Sequence, residues 1–108
     1  MSRYENLSVN WVTFENDKEK AIVTIPCEIV FVPERLLTVS YKEPGLKEPT
    51  IWKGEFQHGF YRLKRESKAG ESGTANMYFD SCDRLEGFWW EGSYEGCWWI
   101  IIDEDPAV

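Results

Sequence analysis

A chain of 108 residues has room for one hydrophobic core and no second, so residues 1–108 are read as a single domain. Its 43% hydrophobic and 16% aromatic content excludes a disordered chain. The formal charge of −7 opposes approach to a phosphate backbone or an anionic membrane, so neither nucleic acid nor a membrane is expected as a partner.

Period-two alternation with β-branched and aromatic residues recurs along the whole chain, and no stretch carries a sustained helical stripe. Leu7, Val9, Trp11 and Thr13 alternate with Ser8, Asn10, Val12 and Phe14, and Asn16-Asp17-Lys18 breaks the run. Ala21 to Val32 is nearly all β-forming, but Pro26 removes a ladder donor, which predicts one long bent strand or two short ones. Pro33 to Leu37 carries a proline suited to a first helical position, so a short helical turn near 33–37 is an option before Thr38 to Tyr41 returns to strand. Pro44-Gly45 and Pro49 bound a loop. Thr50 to Phe56 and Phe60 to Lys64 read as strands joined across Gln57-His58-Gly59. Glu66 to Gly73 has the composition of an exposed hairpin loop. Strands follow at Thr74 to Phe79, Leu85 to Glu91 and Gly96 to Ile102, with turns at Asp80 to Asp83 and Gly92 to Glu95, and Asp103 to Pro106 ends pairing.

About seven or eight short strands linked by tight turns suit an all-β fold, either an up-and-down antiparallel barrel or a small sandwich. The barrel is the expectation, because tight connections pair sequence neighbours and closure removes exposed edges. An internal echo fits a meander: Trp52 to Tyr61 aligns with Leu85 to Tyr94, sharing both glycines and the tyrosine. Each copy reads as a hairpin corner, with coincidence over ten positions as the alternative.

The run Leu85-Glu86-Gly87-Phe88-Trp89 and the later Gly96-Cys97-Trp98-Trp99-Ile100, where Gly and Trp recur near strand starts, resemble the calycin group of barrels: lipocalins, fatty-acid-binding proteins and avidins. In lipocalins and avidins the Gly-x-Trp element lies on the first strand, whereas here it lies near the end, so no ligand residue carries over. The resemblance implies a barrel whose interior accepts a small apolar molecule.

Residues 71–108 hold nine acids and one base, while residues 1–70 hold ten acids and eleven bases. The acidic last third could meet a basic protein partner, as an inhibitor or immunity-type module would, or serve solubility alone. Met1 to Glu5 lacks the apolar stretch of a secretory signal, and the longest wholly apolar run, Cys97 to Ile102, is too short for a spanning helix. A cytoplasmic location is expected. Cys27, Cys82 and Cys97 are odd in number and irregularly spaced, so no disulfide framework is expected, and the Asn6-Leu7-Ser8 sequon then carries no meaning.

Strand neighbours point to opposite faces, so Trp89 and Trp90, and again Trp98 and Trp99, each place one indole inside and one outside. The outer rings could pack under a loop, form an aromatic platform, or meet a second copy of the chain in a homo-oligomer. His58, the sole histidine, sits in a turn. One histidine without a Cys-x-x-Cys pair does not make a zinc site, the EF-hand pattern is absent around Asp80 to Asp83, and no phosphate-loop motif occurs. No metal or cofactor is expected. Glu55, Glu86, Glu91 and Glu95 raise the question of a paired-carboxylate enzyme, which needs a separation that sequence does not supply. The leading expectation is therefore a non-catalytic barrel binding a small apolar or aromatic ligand, with Trp52, Phe56, Tyr61, Tyr78 and Trp89 as lining residues. An acidic interaction module comes second, and an enzyme using His58 or paired glutamates third.

Overall fold

The structure, a computed structural model, describes residues 2–15, 18–43, 45, 47–66, 73–81 and 83–102. Eight strands follow one another: β1 (Ser2–Glu15), β2 (Lys18–Val32), β3 (Leu36–Tyr41), β4 (Thr50–Gln57), β5 (Phe60–Glu66), β6 (Gly73–Ser81), β7 (Arg84–Glu91) and β8 (Tyr94–Ile101). Each pairs antiparallel with the next, and β1 also pairs with β8, which closes an up-and-down barrel. Closure removes the free edges that an open meander of this length would present. The loop expected over 66–73 and the tail expected from Asp103 fall mainly outside the described residues, as do Asn16, Asp17 and Cys82.

Alternation sorts the side chains as the pattern requires. Leu37, Val39 and Tyr41 of β3, Leu85 and Trp89 of β7, and Trp98 and Ile100 of β8 all point into one core. Thr38, Ser40 and Glu86 between them face out, as do Phe88 and Trp99. Pro26 stays within a single strand, paired with Ser8, so β2 runs unbroken. β1 begins at Ser2, earlier than the alternation from Leu7 suggests, and it carries a bulge between Tyr4 and Leu7.

The helical turn anticipated near 33–37 is not formed. Pro33 to Arg35 make a tight turn in which the Arg35 N–H donates to the Val32 carbonyl at 3.0 Å. Glu34 there adopts the left-handed conformation, φ 57°, which cannot propagate a right-handed helix. Its N–H donates to the Tyr61 hydroxyl at 3.1 Å. Leu36 then pairs with Val32, and Leu37 reaches the core. Burying Leu37 in the sheet outweighs the weak local preference of a proline-led turn.

The internal echo has a structural counterpart. Gly54 and Gly87 occupy equivalent inward positions, and a Cβ on either would lie under 2 Å from a carbonyl oxygen of the neighbouring strand, that of Arg62 and that of Asn76 respectively. Both are sites where two backbones close in and the sheet bends. Their partners in the echo, Gly59 and Gly92, both take positive φ at hairpin turns. The turn falls one residue later in the second copy, at Gly92-Ser93 rather than His58-Gly59. Tyr61 is consequently buried, whereas Tyr94 stands exposed at the barrel end.

Candidate ligand-binding groove

Indoles fill one half of the barrel interior. Trp11 lies at their centre, stacked on Trp89 with centroids 4.5 Å apart and set edge-on to Trp98 at 5.1 Å. Trp52 meets Trp98 at 5.1 Å, and Tyr41 meets Trp11 at 5.8 Å. Aromatic contacts of this kind add about 0.5–1.5 kcal/mol each beyond the area they bury. Each deeply buried indole N–H has an acceptor: the Tyr41 hydroxyl for Trp52 at 3.0 Å, the Asn76 carbonyl for Trp98 at 3.3 Å, and the Val12 and Cys97 carbonyls for Trp89 at 3.2 Å. Glycines make the space. Trp89 lies across Gly96 and Trp52 across Gly73, where a Cβ would approach the rings to 2.8 Å. An eight-stranded barrel is just wide enough for side chains to fill, and these rings take up the space around Trp11.

Of the residues expected to line a site, Trp52, Tyr61 and Trp89 are buried, and Phe56 is half-buried against the core. They form two groups. Phe56 and Tyr61 meet edge-to-face at 5.1 Å near the Pro33–Arg35 turn, whereas Trp52 and Trp89 belong to the indole cluster. Tyr78 joins neither. It is 38% exposed on the outer wall, because Ala75, Met77 and Phe79 take the inward positions of β6. It faces outward, apart from the other four. As alternation requires, Trp89 and Trp98 point inward, while Trp90 stands out from the wall and Trp99 is half-buried.

An accessible concavity among the described residues lies elsewhere. The β2–β3 ladder runs from Val32–Leu36 to Cys27–Tyr41 and stops there. Beyond that pair β2 continues against β1, β3 turns away through Lys42, and the chain re-enters the wall at Thr50. Pro26, next along β2, has no N–H with which to extend the ladder. The parting of the two strands leaves an open groove of about 560 Å³. Cys27 and Tyr41 form its floor, with Pro26, Pro49 and Ile51 as apolar walls. Glu28 and Ser40 face each other across the ladder, and the Ser40 hydroxyl donates to the Glu28 carboxylate at 3.5 Å. The bulge in β1 sets two residues of β1 against Glu28 and brings Glu5 to the same margin. Arg3 there bridges Glu5 at 3.1 Å and Glu28 at 3.3 Å. Sequence reasoning did not find this groove. The available signal was Pro26 within a β run together with Pro49 after a loop, which mark the places where pairing ends.

Above Trp52, Arg65 turns into the barrel end instead of outward. Its guanidinium bonds the Glu91 carboxylate at 2.7 Å and lies 3.9 Å from Glu43. The four glutamates weighed as catalytic pairs are spread apart: Glu91 on Arg65, Glu86 at 3.4 Å from Arg84, and Glu55 and Glu95 exposed. His58 is exposed in its turn, with φ 54°. Among the described residues, no three His, Cys, Asp or Glu side chains form a metal-binding group, and no helix is long and apolar enough to cross a membrane.

Both floor residues are weak acids held neutral. Burial, reinforced by Glu28, pushes the Cys27 thiol from 9.0 up to about 12. Burial raises the Tyr41 phenol as well, aided by Glu43 and Glu91 and opposed by the Trp52 hydrogen bond and Arg65. Between the unfolded and folded pKa of such a group the unfolded chain has lost a proton that the folded chain keeps, so stability falls as pH rises. Urea midpoints should therefore decline above pH 9, with a shallower decline in Cys27→Val. A midpoint that climbs across that range would contradict this assignment.

No protein family, curated protein or solved structure matches the chain. The barrel and its groove thus rest on the residues themselves.

Proposed function

We propose that the protein is a non-catalytic binding protein with a calycin-like barrel, and that it takes a small apolar or aromatic ligand at the groove between β2 and β3. The observation that carries this reading is the location of that groove, open to solvent with Tyr41 in its floor and the indole cluster directly behind it. Buried indoles occupy the interior around Trp11, and the ligand takes the groove on the wall. Proline and isoleucine sides favour a flat apolar body, and the margin carries both signs of charge, with Glu5 and Glu28 bridged by Arg3 and Lys42 beside them.

Titration with flat aromatic amines, fatty acids and sugars, read by tryptophan fluorescence and thermal shift, tests the reading. A ligand at about 100 times its Kd should add roughly 2.7 kcal/mol to the stability. Ile51→Glu places a charge in the groove and should weaken binding at least tenfold without lowering the melting temperature of the free protein. Unchanged affinity in that variant, or a panel in which no aromatic or apolar compound shifts either signal, would remove the proposal.

A further inference from the structure

We infer that the outer wall formed by β7, β8 and β1, continued by the β2 segment beside them, is the contact face of a homodimer. This wall is separate from the groove. The strand registers align Asn76, Phe88, Cys97, Val12 and Ile22 in one row across five strands. No member of these five is charged, Val12 among them is itself buried, and the row meets its first charge at Arg62, opposite Asn76 on β5. Trp90 and Phe14 flank it on one side, with Glu95 between them, and Trp99 on the other. Ile22 is 60% exposed, Phe88 49%, Trp90 42% and Ile101 39%.

At about 150–250 Å² per aromatic ring, these side chains together with Tyr78 and Trp99 present on the order of 500 Å² of apolar surface. That lies toward the upper end of the roughly 300–600 Å² of a monomer's largest patch. With a polar margin it reaches the scale of about 800 Å² per partner found in standard interfaces. The core face of the barrel is already satisfied, so these outward rings have no role in closing it.

Charge selects the occupant. The chain carries −7, which disfavours an anionic lipid surface, and only Glu95 and Glu86 stand beside the row, so the face is mainly apolar and offers a basic partner little to pair with. Glu86, one of the two acids beside the row, is held 3.4 Å from Arg84, whose guanidinium lies over Trp99 at 5.6 Å. A second copy meets the row with an equally apolar row. A two-fold axis through it joins like to like. Two such sheets stack face to face about 10 Å apart with their inner side chains interdigitated.

Sedimentation equilibrium over a ~100-fold concentration range should give twice the 12.7 kDa chain mass at the upper end. Added salt should leave the association intact or tighten it, because the contact is mainly apolar and screening relieves the repulsion between the two acidic chains. Phe88→Glu and, separately, Trp90→Glu should weaken self-association at least about 30-fold, as truncating a hot spot does, with unchanged near-UV circular dichroism confirming the fold. Should either variant misfold, Phe88→Ser read in the same way takes its place. A single-chain mass at every concentration, dissociation by salt, or a dimer that survives substitution at both Phe88 and Trp90 would overturn the inference, the last by placing the contact on another face.

Discussion

Gly96→Ala is expected to lower the melting temperature by roughly 10–25 °C, from a loss of about 3 kcal/mol at some 4–8 °C per kcal/mol for a domain of this size. The added methyl would stand 1.8 Å from the Val12 carbonyl oxygen and 2.8 Å from Cζ2 and Nε1 of Trp89. The flexible end of a side chain could move aside. A strand backbone bonded on both sides cannot do so cheaply. Displacing the indole would also break its hydrogen bonds to the Val12 and Cys97 carbonyls, and leaving one such buried donor unmade costs about 1–3 kcal/mol. The β1–β8 pairing that closes the barrel includes Gly96 opposite Thr13, so the strain falls on the seam. Trp89→Phe in the same chain should recover part of the loss, since the ring contact is relieved while the Val12 contact remains. A melting temperature within two or three degrees of wild type would show that the seam yields and that the close approach is not structural.

Trp98→Ala is expected to cost about 3–5 kcal/mol, the range for removing a large aromatic from a packed core. Trp98 is fully buried, touches Trp11 and Trp52, and spends its N–H on the Asn76 carbonyl. That carbonyl is close to where a Cβ of Gly87 would fall, and the Asn76 side-chain oxygen accepts the Phe88 N–H at 3.1 Å. The indole thus helps to hold β6 against β7 where the glycine bends the sheet. Trp98→Phe should lose about half as much, keeping most of the apolar volume but not the donor. Urea midpoints at unchanged m-value measure both. The pair also decides what kind of barrel this is: a loss under about 1 kcal/mol for the alanine variant would fit a wall residue facing a solvent-filled cavity, and would move the expected ligand back inside.

Much of the fold was legible because alternation is a local property. Leu37, Val39 and Tyr41, or Trp98 and Ile100, announce a shared face through spacing alone, and one indole inside and one outside follows from two adjacent tryptophans. Tyr78 shows how the same signal is misread. It lies in the run Met77-Tyr78-Phe79, where either parity buries an aromatic, but the polar Thr74 and Asn76 earlier in the strand already mark even positions as outward. Arg65 shows the opposite limit. A charged residue at an inward position becomes tolerable only because Glu91 and Glu43 come from distant segments to meet it, and no local pattern encodes that meeting.

The amino-acid sequence by itself determined the strands, most turns, the acidic balance and the number of indoles available to a core, because each depends on residue type and on neighbours a few positions away. The tertiary structure alone decided where the β2–β3 ladder ends, which glycines lie beneath tryptophans, and which outward side chains line up into one row across the wall. Those features are set by the register between strands distant in sequence. Register is a property of pairs of segments, selected by the cooperative filling of one interior, so it comes into being only when the barrel closes.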